Sequence, residues 1–420
     1  MKKLILFLSI FSFCGRASAQ QANITLGKSA LEQNNYKQAI EYFDAAVQNE
    51  QTRNNPDAWY WRGKAYMQIG LDSTTRQENS VEEAARSLLK TLKLKPDYNT
   101  DLSNAMYTTA LMSYNQGVSN YQKQLYGPAY DDFMRVVNIY KAGGEKRFAS
   151  NPAFAVIIPD AKTNAAYAAI NDNRVAAAQV LYEDIIKTQT KKNPDIYQAL
   201  IELYQKQNKT AETFPLIKDA RKQFPTNKIF RDLELNYYII TGKQAELLPL
   251  LEAAVKEEPE NPELLFNVAN AYMNLTFPKD AKGNPLPPPA NFKDIYLKTE
   301  DAYKKAAALK PEDADFNYNA GVLYYNNASM LIRQMNAIKG NSRAENKKMD
   351  ELTILRDAEL NKVLPYFERS YAILAGKPGS MSDSEKVTYQ NTLTGLKEIY
   401  TRLNNTEKAD EIRKKLDQLK

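Results

Sequence analysis

A spacing of 34 residues recurs along this chain and limits what it can fold into. The triplets Asn193-Pro194-Asp195 and Asn261-Pro262-Glu263 lie 68 residues apart, two such periods, and Asn55-Pro56-Asp57 repeats the device upstream. Each triplet is a helix start. The Asn side chain caps free N–H groups, Pro fills a first-turn position where no N–H is missed, and the acid faces the positive end of the helix. Pro225 and Pro259, again 34 apart, close two of the repeats. A period this short means that each repeat is one supersecondary element, which must stack on its neighbours to bury its apolar faces.

The stretch Pro56–Pro96 shows the repeat in full. Trp59, Gly63 and Tyr66, four and three residues apart, share one face of a first helix, and Ala84 and Leu88 share a face of a second. A bulky residue on one helix meets a small one on the other, so two short helices pack closely. This resembles the tetratricopeptide repeat, a helix–turn–helix of 34 residues with Trp, Leu-Gly, Tyr, Ala, Phe and Pro at fixed places. Leu26-Gly27, Tyr36, Ala39, Phe43 and Ala46 hold the same register in an opening repeat. Gly117, Tyr126, Ala129 and Phe133 hold it in a third, where Asn120 stands in place of the customary Tyr. A fourth, near Ala161–Thr190, places Ala166, Ala178, Tyr182 and Ile185 but has an Ala-rich first helix without its aromatic. The rhythm returns with the Asn-Pro-acid starts, and an eighth repeat carries Phe316, Asn319, Gly321 and Tyr324. The resemblance covers nearly all of residues 20–420. It implies an all-α fold, a tetratricopeptide-repeat superhelix or α-solenoid of stacked antiparallel helix hairpins.

The order along the chain is then as follows. Residues 1–19 read as a signal peptide: Lys2-Lys3, the apolar run Leu4–Cys14 and Ala17-Ser18-Ala19 fit cleavage before Gln20. Phe13 stands before Cys14 where a lipid-attachment motif wants a small residue, so the mature protein is expected to be unlipidated. Residues 20–147 hold N-terminal repeats, 148–160 with Pro152 and Pro159 read as a bent connection, and 161–420 hold the remaining repeats. The polar run within about Leu71–Ser80 enlarges a turn, and Gly143-Gly144 breaks a helix. An insertion at 277–292 contains Pro278, Pro285 and Pro287-Pro288-Pro289, which excludes a helix or sheet interior. It is either an inert surface loop or a polyproline II segment that a partner reads or that folds over a groove. An elongated hairpin at 313–375, in which Pro365 is expected to kink or restart the second helix, and a capping hairpin at 384–420 complete the array.

Composition removes several kinds of chemistry. The chain has no His and a single Cys, which leaves with the signal peptide. The commonest general base, the commonest metal ligand and any thiol chemistry go with them, so no catalytic residue, metal or cofactor is expected. The formal charge of +6 falls to about +3 without Lys2, Lys3 and Arg16, and Lys and Arg are interspersed with acids, so nucleic acid is not an expected partner. No later run approaches the ~18 apolar residues of a membrane span.

The resemblance also implies a function. Such arrays are non-catalytic protein-interaction scaffolds whose first helices line a concave groove, and exported ones organise envelope complexes in Gram-negative bacteria. Other proteins or peptides of the cell envelope are the expected partners, in the periplasm or outside the cell. By family register the groove face holds Tyr60 and Met67, then Tyr114, Asn115, Val118 and Tyr121, then Ile239 and Ile240. Farther on come Phe266, Asn267, Asn270 and Met273, then Tyr318, Asn319, Val322 and Tyr325. The expected site is Tyr114, Asn115, Tyr121, Phe266, Asn267, Asn270, Tyr318, Asn319 and Tyr325. An Asn amide offers a donor and an acceptor together, matching a peptide backbone. Asp232, Glu263 and Asp315 stand where capture of a C-terminal carboxylate would need Lys or Arg, which favours a segment bound along its length. The alternative is a glycan-binding helical-repeat protein of the starch-binding lipoprotein type.

Overall fold

The computed structural model describes residues 22–72, 79–377 and 379–419. The signal peptide, Cys14, the start at Gln20 and most of the polar run after Leu71 lie outside them. Two compact units are present, one ending at Phe230 and the other starting at Arg231. This division falls in the first turn of a helix, between Phe230 and Arg231.

The first unit is built from α1 (22–32), α2 (Tyr36–Gln48), α3 (Pro56–Leu71), α4 (Ser80–Leu94), α5 (Thr100–Gln122), α6 (Tyr126–Arg147), α7 (Pro152–Asn171), α8 (Val175–Thr188), α9 (Pro194–Lys206) and α10 (Thr210–Gln223). Helix α11 (Lys228–Ile240) spans the division. The second unit continues with α12 (Gln244–Glu257), α13 (Pro262–Thr276), α14 (Phe292–Leu309), α15 (Ala314–Asn336), α16 (Arg343–Ala375), α17 (Asp383–Arg402) and α18 (Thr406–Asp417). Among the described residues the secondary structure is helical, apart from one isolated β-bridge between Lys279 and Pro285.

The helix starts follow the sequence signals. The side chains of Asn55, Asn193 and Asn261 accept from the N–H groups of Asp57, Asp195 and Leu264 at 2.9, 2.9 and 3.2 Å. Six of the turns inside hairpins are equally regular. Asn34, Gln124, Asn173, Asn208 and Asn404 adopt φ between 56° and 63°, and Gly242 sits at φ 67°. In each case the next N–H reaches back five residues, as in Lys209 to the Tyr204 carbonyl at 2.9 Å and Lys243 to Tyr238 at 3.1 Å. This is a Schellman closure, which uses up the orphan carbonyls of the first helix and aims the chain back antiparallel.

Packing within the hairpins rests on a large side chain of the second helix entering a glycine gap on the first. A Cβ on Gly27 would come within 2.7 Å of Phe43, one on Gly63 within 2.8 Å of Leu88, and one on Gly117 within 2.9 Å of Phe133. In the second unit Phe367 is shared: a Cβ on Gly321 would lie 2.5 Å from its ring and one on Gly395 2.4 Å.

Of residues 148–160, only 148–151 connect two helices. Helix α7 starts at Pro152 and runs through Pro159. Pro152 lies in the first turn, where its missing N–H costs nothing, and burial of Phe148 and Phe154, with rings 4.7 Å apart, fixes the turn that precedes it. Pro365 likewise lies inside α16, a helix of 33 residues, which it does not end. The Gly143-Gly144 break is present: Gly144 takes φ 74° and ψ 164° inside α6. The proline-rich insertion forms a tight hairpin. Leu286 N–H donates to Pro278 at 2.8 Å, and Asp280 Oδ1 accepts from the N–H groups of Lys282 and Asn284 at 2.8 Å each.

Candidate functional site

The candidate residues fall on first helices of both units: Tyr114, Asn115 and Tyr121 on α5 of the first, and the others on α13 and α15 of the second. In the first unit the tyrosines are tied to the next first helix. Asn164 donates its amide to the Tyr114 hydroxyl at 3.2 Å, and Asn171 donates to that of Tyr121 at 3.0 Å. Both pairs are 50 residues apart, so they are two rungs, two helical turns apart, between α5 and α7. Burial raises the Tyr114 hydroxyl above its ordinary pKa, with Asp160 adding to the effect. Asn115, one residue on, is exposed and has no hydrogen-bond partner among the described residues.

The second unit repeats the arrangement between α15 and α17. Thr388 Oγ1 donates to Asp315 at 2.8 Å, the Asn391 amide meets the Tyr318 hydroxyl, and the Tyr325 hydroxyl donates to Glu398. All three pairs are offset by 73 residues. The Tyr318 ring also stacks on Phe367 at 5.3 Å and 14°. Burial pushes both tyrosines up, and for Tyr325 the Glu398 carboxylate pushes further.

The remaining candidates divide between used and free groups. Phe266 stacks flat on Phe316, with centroids 4.3 Å apart and planes at 3°. Asn270 accepts from the Tyr303 hydroxyl at 2.5 Å, and the Asn319 amide donates to the Asp315 carbonyl of its own helix at 2.9 Å. Asn267 is half-buried and has no partner among the described residues. Tyr60 and Met67, expected on the groove face, are instead buried, at 3% and 5% exposure, and Tyr98 closes over Tyr60 with rings 5.0 Å apart. Ile240 is 84% exposed. The acids at the carboxylate-capture positions are engaged: Glu263 with Lys310, Asp232 with Arg231, and Asp315 with Thr388.

A second set of contacts was not expected. The tyrosine eleven places into a repeat donates its hydroxyl to an acid on the preceding second helix. Tyr66 reaches Asp44 at 3.2 Å, Tyr204 reaches Glu183 at 2.9 Å, and Tyr272 reaches Glu252. Each acid directly follows a large residue in its helix's glycine-facing or equivalent position: Phe43, Tyr182 and Leu251. That adjacency is the signal the sequence offered. Where Asn120 replaces the tyrosine, its amide turns to Asp132 of its own hairpin at 2.8 Å, and burial holds that carboxyl above its usual range. Arg62, 5% exposed, completes the first latch by pairing with Asp44 and Glu83 at 2.5 and 2.8 Å.

Among the described residues no group of three or more His, Cys, Asp or Glu could hold a metal ion, and no helix is long and apolar enough to cross a membrane. The faces built by α5 and by α13 and α15 offer amides, hydroxyls and aromatic edges, the chemistry of hydrogen bonding and apolar contact.

Residues 24–99 match the family model of the tetratricopeptide repeat. Among curated proteins the chain is similar to DnaJ homolog subfamily C member 3 of Gallus gallus, with 21% identity over 262 residues. The match takes in 62% of this chain but 41% of that protein, so the chain spans less than half the length of this relative. Among solved structures it is similar to the C-terminal part of a TPR repeat-containing protein from Cytophaga hutchinsonii (14% identity, 72% of this chain and 93% of that one, TM-score 0.42). It is also similar to a TPR repeats protein from Bacteroides fragilis (15% identity, 67% and 97%, TM-score 0.28). A third is YrrB, described as a TPR protein with an unusual peptide-binding site (13% identity, 54% and 94%, TM-score 0.31). Residues 24–99 thus form two tetratricopeptide-type hairpins, α1–α2 and α3–α4, and antiparallel helix hairpins recur through both units.

Proposed function

We propose that this protein is a non-catalytic scaffold whose first-helix faces, within each unit, hold extended segments of partner protein, after export to the cell envelope. The observation that carries the reading is the contrast between used and free polar groups on those faces. The tyrosines at 114, 121 and 325 spend their hydroxyls on neighbouring helices, whereas Asn115 and Asn267, at the same place in their repeats, keep whole amides. Each free amide follows an aromatic residue, Tyr114 or Phe266, that would contact the segment's side chains. The glycan alternative needs exposed indoles. The chain has two Trp, and Trp59 donates its indole N–H to the Arg53 carbonyl at 2.7 Å while Trp61 packs on Tyr60 at 5.2 Å under Lys28.

The test is affinity capture from envelope extracts, then titration of the captured partner against the Asn115→Ala, Asn267→Ala variant, with folding checked by circular dichroism. At about 0.5–1.5 kcal/mol per hydrogen bond, two lost amides weaken binding about five- to a hundredfold. A folded variant that binds like the parent moves the site off these faces. Export is tested separately: an intact mass that begins at Gln20 supports it, and a lipid-modified Cys14 contradicts it.

A further inference from the structure

The first unit contains a pocket of about 810 Å³ that lies apart from the first-helix face, where the end of α4, the turn into α5 and the end of α6 meet. Gly144 creates it. Its positive φ bends the end of α6, and residues 145–147 fold back toward the α4–α5 turn. Phe148 then closes beneath the bend, against Phe154 and Tyr140. Gly143 leaves the room for this, since a Cβ there would meet the Phe148 ring at 2.3 Å.

The bend delivers charge. The Arg147 guanidinium donates to the carbonyls of Pro96 and Tyr98 and to the Ser103 hydroxyl, the last at 3.2 Å. Lys146 lies beside it, and Lys93 enters from the last turn of α4. These three cations, from two separate segments, line the pocket without a single Asp or Glu. None of them forms an ion pair among the described residues, and the partners of Arg147 are all neutral. Elsewhere on the surface cations such as Arg135 and Lys162 do have carboxylate partners, Asp132 and Asp184. Asp97 and Asp101 sit outside the lining, and Glu145, next to Lys146, faces a different pocket. Compensation of the helix ends explains why cations occur in these last turns. It does not explain why they converge on a shared cavity whose other wall is Leu89, Leu92 and Tyr98.

We propose that this pocket binds an acidic segment of a partner protein in which carboxylate and apolar side chains alternate. Carboxylates pair with Lys93, Lys146 and Arg147, and the apolar side chains between them rest on Leu89 and Leu92. Burial of these ion pairs against an apolar wall raises their worth above that of open surface pairs. The site is independent of the free amides at Asn115 and Asn267.

The experiment is fluorescence anisotropy on the full chain with a labelled peptide alternating Glu and Leu, and with its Gln–Leu counterpart. Variants are Lys93→Gln, Lys146→Gln and the charge-reversed Lys93→Glu, Lys146→Glu, both at exposed positions; Arg147 is kept because it holds the turn. The Glu–Leu peptide is expected to bind at least about tenfold tighter than Gln–Leu, to lose about tenfold in the neutral variant and to stop binding in the reversed one, with affinity falling as salt rises. Asn115→Ala leaves it unchanged. Equal binding of the two peptides, or full binding by a correctly folded reversed variant, overturns the proposal. Loss of binding in Asn115→Ala with the lysine variants intact overturns it as well.

Discussion

The two units use the same packing device with different economy. In the first, three large second-helix residues each fill one glycine gap: Phe43 at Gly27, Leu88 at Gly63, Phe133 at Gly117. In the second, Phe367 of α16 fills two, Gly321 on α15 and Gly395 on α17, so one ring holds three helices. The ladders differ in the same sense. Two rungs join α5 to α7, and three join α15 to α17. A repeat array is stabilised by contacts within hairpins plus contacts between neighbours. The first unit spreads the second kind over many small contacts, including the Ala-rich α7. The second adds one shared ring, Phe367, to its three rungs.

This difference orders the expected effects of substitution. The largest belongs to Phe367→Ala, which empties two gaps at once and costs about 3–5 kcal/mol at the upper end, with Phe133→Ala lower in that range. Urea unfolding monitored by circular dichroism measures both, and equal losses would break the comparison. Next are the glycines. Gly321→Ala and Gly395→Ala push into a ring that cannot retreat from either side and cost about 1–3 kcal/mol each. Gly117→Ala, with one contact at 2.9 Å, costs less, whereas Gly63→Leu overpacks the Leu88 contact by a similar 1–3 kcal/mol, to be read from melting curves.

The tyrosine latches come third. Removing one hydroxyl, as in Tyr272→Phe or Tyr204→Phe, costs about 1 kcal/mol, since the acid regains water on its exposed side. The buried tyrosines, Tyr204 of the latches among them, also predict a pH dependence. Burial and, for Tyr204, the Glu183 carboxylate push Tyr60, Tyr182 and Tyr204 from 10.0 up to about 12. A raised folded-state pKa gives stability that is fully present below pH 10.0 and lost as pH climbs toward about 12. Melting temperature is therefore expected to fall steeply across that window in the parent, and less steeply in Tyr204→Phe. The smallest effect is that of a single rung, Tyr114→Phe, at about 0.5 kcal/mol.

The parts of this account that were legible in the sequence are those written in local chemistry. The Asn-Pro-acid starts, the Gly gaps opposite Phe43, Leu88 and Phe133, and the left-handed Asn404 turn each need only a few neighbouring residues. What escaped depends on partners far along the chain. Pro152 and Pro159 suggested a connection because proline disfavours a helix interior, but tertiary burial of Phe148 and Phe154 supports the helix. Tyr60 was placed on the groove face by register alone, and the Tyr98 that covers it is 38 residues away, across an enlarged repeat. The rung partners Asn164, Asn171, Asn391 and Glu398 carry no motif of their own. Their constant offsets of 50 and 73 follow from insertion lengths that no single repeat reveals.

The claim that the first-helix faces hold a partner is tested most directly by photo-crosslinking. A photoreactive amino acid is placed at Asn115 or Asn267, and for comparison at Lys256, an exposed position on the second helix α12. Irradiation in envelope extracts is expected to give the same discrete adduct from positions 115 and 267 and none from 256. An adduct from position 256 with none from 115 or 267 would contradict the account.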